Sequence, residues 1–335
     1  MAKDLEGILQ TGFLTWKTNL NLCLPFLLSS IIRILLVIPF LIILVMFLNP
    51  VSPGIFESSY YPTHKPLGTI INFLDYSLLT LDILLLLLFL LVLHLISSFF
   101  LAGAIGMSKR AVETGNTSLG DMMDFGGKKF IGLFLAQLII SLSIAVLFLF
   151  LVCIPVLIGL KVPSIGRGLI EFGVNLFSVL VLIICIVFAA LPFAIVISDL
   201  GVIKGLKRGY GFFMDNKLSV ILLWIFIRYM AEFIGYGVFF IAAVAFSLGI
   251  LFVPIPSNIS DISSFASESS LISLLIVFLA VVVILYLLLS WIASIFIVSP
   301  LTTVWWSRLY MDRTGSYGAH EEIIDLMKRK NDGIY

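Results

Sequence analysis

Six apolar runs, near residues 22–48, 78–105, 130–160, 174–200, 218–253 and 271–305, decide what this chain can fold into. Each meets the roughly 20 apolar residues that an α-helix needs to cross about 30 Å of hydrocarbon. No water-soluble core could hide so much apolar surface: 61% of the 335 residues are hydrophobic and 12% charged, against roughly 45–50% and about 25% in soluble domains. In lipid every backbone group must find its partner inside the chain, which leaves helices as the structure for runs of this length. The expected fold class is all-α: a polytopic membrane helix bundle of six transmembrane helices, with residues 1–335 as a single integral membrane domain. The first run exceeds the ~7–15 residues of a signal-peptide core, and Met1 to Glu6 carries acids, so that run is expected to stay as an anchor.

The basic residues give the orientation. Lys3 and Lys17 precede the first span; Lys109, Arg110, Lys128 and Lys129 separate spans two and three; Lys204, Lys207, Arg208 and Lys217 separate four and five. Arg308, Arg313, Lys328, Arg329 and Lys330 follow the sixth, so fifteen of the 20 Lys and Arg lie on one side. Lys65, Lys161 and Arg167 fall on the other side, and Arg33 and Arg228 within spans. Cytoplasmic flanks retain Lys and Arg, which predicts a multi-pass protein of the cell membrane with both termini cytoplasmic. Tyr60 and Tyr61, in the long external loop of residues 49–76, suit an interfacial aromatic belt. Asn258-Ile259-Ser260 matches a glycosylation acceptor on the external side, though a three-residue match is common by chance.

The cytoplasmic segments share a pattern. Gly12-Phe13 is followed by Trp16 and Asn19, and Gly209-Tyr210 by Phe213 and Asn216, each just before a span; Gly120 to Gly127 repeats the spacing more weakly. This predicts a three-fold repeat of two-span units, residues 1–105, 106–200 and 201–305, each led in by an amphipathic interfacial helix, with 306–335 as a cytoplasmic tail. In the first lead-in helix Leu5, Ile8, Leu9, Phe13 and Trp16 share one face, opposite Lys3, Glu6, Gln10 and Lys17, the arrangement of a helix lying along a leaflet. Gly201, Gly205 and Gly209 form a small-residue stripe that admits close helix approach, either within the monomer or in a homo-oligomer. In the tail, His320 to Lys330 places Glu321, Glu322 and Asp325 before Lys328, Arg329 and Lys330, complementing its own helix dipole. Bends are expected at Pro39, Pro155, Pro192 and Pro300, and at Gly235 and Gly237 in the fifth run.

Ionisable residues inside spans are the candidates for chemistry. Arg33 and Arg228 each lie 10 or 11 residues into a run from its inner end, about 15–17 Å deep at ~1.5 Å per residue. His94 lies as deep in a span running the other way, and Glu232 is one turn beyond Arg228. Arg33, His94, Arg228 and Glu232 are therefore expected in one layer near the midplane. Arg228 and Glu232 can pair at i, i+4 as a structural link; Arg33 lacks an acidic partner in sequence, so the functional alternative is a ligand-binding cluster for an anion such as a lipid phosphate or an anionic solute. Asp75 and Asp82, seven apart near the outer end of span two, read as an interfacial pair or a cation entrance.

Other chemistries are poorly supplied. A net charge of +1 lacks the basic face a nucleic-acid binder needs. Cys23, Cys153 and Cys185 each sit in an apolar run without a second cysteine or histidine at ligand spacing, so no metal is expected. The sequence has no His-Glu-x-x-His, Gly-x-Ser-x-Gly, Walker loop or Gly-x-Gly-Asp, and no catalytic residue or cofactor is expected.

Gly12-Phe13-Leu14-Thr15-Trp16-Lys17 before a span, the Ser108-Lys109-Arg110 turn and Ser299-Pro300-Leu301-Thr302-Thr303-Val304-Trp305-Trp306 before the basic tail give a layout that resembles uncharacterised prokaryotic six-span proteins, archaeal ones included. That group takes in the membrane domain fused to some glycerophosphodiester phosphodiesterases. The phosphodiesterase barrel and its acidic metal ligands have no counterpart here, so the resemblance implies a membrane module without a catalytic residue to carry over. Two functions follow as expectations: a non-enzymatic module that organises or senses lipids or partner proteins, or a transporter or channel for a small, anionic solute.

Overall fold

The computed structural model describes residues 2–48, 73–251 and 268–316. Tyr60, Tyr61, the Asn258 acceptor pattern and the tail helix from His320 to Lys330 lie outside them, as do the side chains of Asp75 and Asp82. Every element described is helical. In chain order these are α1 (Ala2–Thr18), a 3-10 turn (Leu20–Cys23), α2 (Leu24–Leu48), α3 (Phe73–Thr114), α4 (Leu119–Phe148), a π-turn (Leu149–Cys153), α5 (Ile154–Lys161), α6 (Pro163–Val187) and α7 (Leu191–Ile197). Then follow α8 (Val202–Asp215), α9 (Lys217–Leu251), α10 (Glu268–Ala293), a π-turn (Ser294–Val298) and α11 (Ser299–Thr314). Six of the helical stretches are long and apolar enough to cross a membrane, in the order the apolar runs predict. The protein is an all-α polytopic membrane bundle.

Local chemistry sets the helix ends. Ser118 and Asp121 form a reciprocal capping box at the start of α4, with the Asp121 carboxylate accepting from the Ser118 N–H at 2.8 Å. α3 stops where Gly115 turns left-handed at φ 79°. Prolines divide three of the spans. Pro155 and Pro300 each follow a π-turn, and Pro192 follows a turn at residues 188–190, because a proline offers no N–H to the carbonyl four residues before it. α2 runs through Pro39 and α9 through Gly235 and Gly237 as single helices, without the change of helical pattern seen near Pro155, Pro192 and Pro300.

Among the described residues, packing is concentrated at the end of the bundle that carries the basic residues. Ile8 of α1, Ala102 and Ile105 of α3, Leu133 and Ala136 of α4, all of α7 except Pro192, Phe212 of α8 and Val220 and Leu223 of α9 close around Leu301, Trp305, Leu309 and Tyr310 of α11. Away from this core the spans turn large apolar residues outward, such as Leu84, Leu87 and Phe150, a surface that only lipid can solvate.

The two stronger members of the predicted repeat are built alike. Asn19 and Asn216 each donate a side-chain hydrogen bond to the carbonyl four residues back, Thr15 at 3.0 Å and Phe212 at 3.1 Å, closing the lead-in helix before the bend into its span. Trp16 and Phe213 both pack against the core. A Cβ on Gly12 would overlap the Trp305 indole, and one on Gly209 would lie 3.1 Å from the Leu191 Cα, so both glycines serve close helix approach. The weaker copy differs: Gly120 and Gly127 sit inside α4, whose lead-in turns are continuous with its span.

Candidate functional site

α1 is held to the end of the sixth span by two indoles. Pro300 cannot donate to the Phe296 carbonyl, and that carbonyl instead accepts Trp16 Nε1 at 3.1 Å and Cys23 Sγ at 3.4 Å. Trp305 Nε1 donates in return to the Leu9 carbonyl at 3.0 Å, and Arg308 donates to Thr15 Oγ1 at 2.7 Å. On the opposite flank Lys109 donates to the Ile197 carbonyl at 3.2 Å, at the C-terminus of α7 where a cation is favoured. Lys129 pairs with Asp199, a residue held at φ 55°, where only a short polar side chain is tolerated outside glycine. The Trp16–Phe296, Trp305–Leu9 and Lys129–Asp199 contacts gave no sequence signal beyond residue type, because their partners are far apart in the chain.

The four residues expected in one midplane layer fall into two places. Arg33 on α2 donates to Ser97 Oγ on α3 at 2.7 Å. His94, on α3, lies against Phe134 of α4 with ring centroids 5.4 Å apart, and its buried Nε2 finds no hydrogen-bond partner among the described residues. Beside it Ser98 is fully buried and 2.9 Å from Gln137 Oε1. Arg228 and Glu232 pair along α9 at 2.8 Å and line a crevice of about 620 Å³ with Ala231, Gly235, Tyr236, Phe239 and Tyr286, all on α9 and α10. No described contact joins the two pairs. The physical reason is that depth along a helix says nothing about direction around it: α2 packs on α3, whereas α9 packs on α10, α8 and α6. α3 continues unbroken to Thr114, past the end of its apolar run at residue 105.

The crevice forms because α9 and α10 meet at Phe239 and Tyr286, with ring centroids 6.0 Å apart, and then follow different neighbours toward the core. The end of α10 passes into the π-turn beside α2 and the 3-10 turn, while the start of α9 lies beside α8, with Phe226 on Trp305. Gln137, which accepts the buried Ser98 hydroxyl, is missing from any reading by charge alone. Its only sequence signal is a neutral amide in the middle of an apolar run.

The glycine stripe is used inside the chain. A Cβ on Gly205 would lie 2.5 Å from Ile195 Cγ1, and Gly209 abuts Leu191, so α8 docks through these two glycines on α7, while Gly201 has open space around it. Among the described residues no group of three or more His, Cys, Asp and Glu is placed to hold a metal ion. Cys23 is buried, Cys153 half-buried and Cys185 exposed.

No curated protein and no solved structure matches the chain. Residues 69–297, from before α3 to the π-turn after α10, match a family described as a domain of unknown function, DUF7847. The crevice pair, His94 with its Ser98–Gln137 neighbours, and all but the first and last helices of the core thus lie within the matched segment, and the chain belongs to the DUF7847 family.

Proposed function

We propose that this protein is a non-enzymatic membrane module that organises or senses lipids of the cell membrane, with both termini on the cytoplasmic side. The observation that carries the reading is the apolar plug at the basic end. Ala102, Ile105, Leu133, Ala136, Ala194, Ile195, Val220, Leu223 and Leu309 are each at most 1% exposed and come from five helices. A route for a polar solute through that end would have to part this core, at a cost set by the apolar area exposed. The ionisable pair in the spans lies instead on the flank, between α9 and α10, where lipid has access.

The surface of α8 supports the same reading. Ile203 and Tyr210 are exposed on the face opposite Gly205 and Gly209, interleaved with Lys204 and Lys207, as for a helix resting at a lipid headgroup layer. The likeness of the layout to the membrane domain fused to glycerophosphodiester phosphodiesterases agrees with a lipid-facing role without a catalytic one. A homo-oligomer through the glycine stripe is not part of the proposal, because Gly205 and Gly209 are covered by α7.

Reconstitution tests the reading. The purified full chain, placed in bilayer nanodiscs and released into mild detergent, should carry bound lipid by native mass spectrometry. In liposomes it should raise no flux of small anions above empty vesicles. Labelling of single cysteines at positions 3 and 313 should occur only from the cytoplasmic side. A protein that emerges lipid-free, or that conducts solute, refutes the module.

A further inference from the structure

Arg228 and Glu232 pose a physical problem. Their side chains are 66% and 41% exposed, yet Arg228 lies 11 residues into α9, about 16 Å from its start at ~1.5 Å per residue, within the stretch of that helix apolar enough to cross a membrane. Charges at that depth are stable only against other polar groups. The pair itself uses the guanidinium Nε and one carboxylate oxygen, leaving the two terminal amino groups of Arg228 and the second oxygen of Glu232 to be satisfied from outside. Phenols of Tyr236 and Tyr286 line the same crevice, and Phe239, Gly235 and Ala231 supply an apolar wall.

The net charge of the lining decides what fits. A bare anion would bind Arg228 against the adjacent carboxylate and leave one uncompensated negative charge in a medium where that is expensive. An ammonium alone would meet the reverse problem. A molecule with both signs, an anionic oxygen group and an amine, matches the guanidinium and the carboxylate at once and leaves the site neutral. Two tyrosine rings suit the cationic end, and the terminal amino groups of arginine suit a phosphate.

We propose that the α9–α10 crevice is a headgroup site for a zwitterionic phospholipid of the bilayer, with the phosphate on Arg228 and the amine on Glu232. This rests on the module reading and narrows it to one lipid class and one place. The anion expected from the sequence rested on Arg33, which donates to Ser97 on another face of the bundle, and the charge of Arg228 is met by Glu232.

The full chain in nanodiscs of equal parts phosphatidylethanolamine and phosphatidylglycerol, released into mild detergent, allows the retained lipid to be weighed by native mass spectrometry. The native protein should retain the zwitterionic lipid about tenfold over the anionic one, the preference of one charge-assisted hydrogen bond. Glu232→Gln keeps the shape and removes the negative charge, and should turn the preference toward phosphatidylglycerol. Arg228→Gln should lose retention of both lipids about tenfold. Each variant is compared at equal helicity and as a single size-exclusion peak, and Glu232→Gln, the most conservative, carries the test if Arg228→Gln does not fold. A preference that Glu232→Gln leaves unchanged overturns the site. So does a dimer that this substitution dissociates, because a second copy would then be what covers the pair. Retained lipid without class preference removes the headgroup site and leaves the module standing; a lipid-free protein removes both.

Discussion

Replacing Trp16 by Phe removes one hydrogen bond while keeping an aromatic ring against Phe13, whose centroid lies 5.5 Å away. The bond lost is Trp16 Nε1 to the Phe296 carbonyl, 3.1 Å long. That carbonyl cannot accept from position 300, where a proline stands, and the side-chain donor that remains after the substitution is the weaker Cys23 thiol at 3.4 Å. A net hydrogen bond of this kind contributes about 0.5–1.5 kcal/mol, and those between membrane helices average about 0.6 kcal/mol. Trp16→Phe should therefore cost about 1 kcal/mol. Trp16→Phe with Cys23→Ala removes both side-chain donors to that acceptor and should cost about 1–3 kcal/mol, the worth of two net hydrogen bonds.

The assay is reversible unfolding in sodium dodecyl sulfate followed by circular dichroism, run as a double-mutant cycle. Pro300→Ala supplies the control. With alanine at 300 an N–H is again available four residues after Phe296, and in that background Trp16→Phe should cost less than about 0.5 kcal/mol, the scatter of independent sites. If Trp16→Phe costs the same with proline or alanine at 300, the indole does not take the place of the N–H that Pro300 lacks. The account of how α1 is held to the sixth span would then be wrong.

Gly209→Ala should destabilise by about 1–3 kcal/mol, as overpacking does, because its Cβ meets Leu191 backbone at 3.1 Å. Gly211→Ala, with open space around it, should stabilise by up to about 1 kcal/mol through helix propensity; the same detergent titration reads both, and equal effects would refute the α7–α8 contact. Tyr310→Phe should cost about 1 kcal/mol, since the fully buried Tyr310 hydroxyl lies 2.8 Å from Ser198 Oγ; an unchanged midpoint would mean that bond is idle. Asp199→Ala should be worse than Asp199→Gly by about 1 kcal/mol, the cost of a left-handed backbone for alanine, although both remove the partner of Lys129. Equal midpoints for the two would show that the φ of 55° is not held in solution.

The lead-in motif was legible in advance because its chemistry is local. Asn19 and Asn216 bond four residues back along their own helices, and the Arg228–Glu232 pair is likewise an i, i+4 contact, so spacing alone exposes them. The breaks at Pro155, Pro192 and Pro300 follow from a missing N–H that is visible in the residue itself. Passage of α2 through Pro39 was not legible. The same missing donor is accommodated there within one helix, and whether a helix kinks depends on the neighbours that receive its freed carbonyl. Ser97 as the partner of Arg33, and Gln137 as that of Ser98, were equally hidden, since serine and glutamine carry no charge to attract notice in an apolar run.

By itself the sequence determined that this chain is a six-span helical membrane bundle, because bilayer thickness and backbone hydrogen bonding act on each segment separately. Only the tertiary structure decided which faces meet. Along spans that are apolar all round, no periodicity marks the side that packs on a neighbour, and lipid solvates the unused faces as well as protein would. That is why Arg33 and His94 belong to α2, α3 and α4 while Arg228 and Glu232 open onto the α9–α10 crevice, although all four read as one layer along the chain.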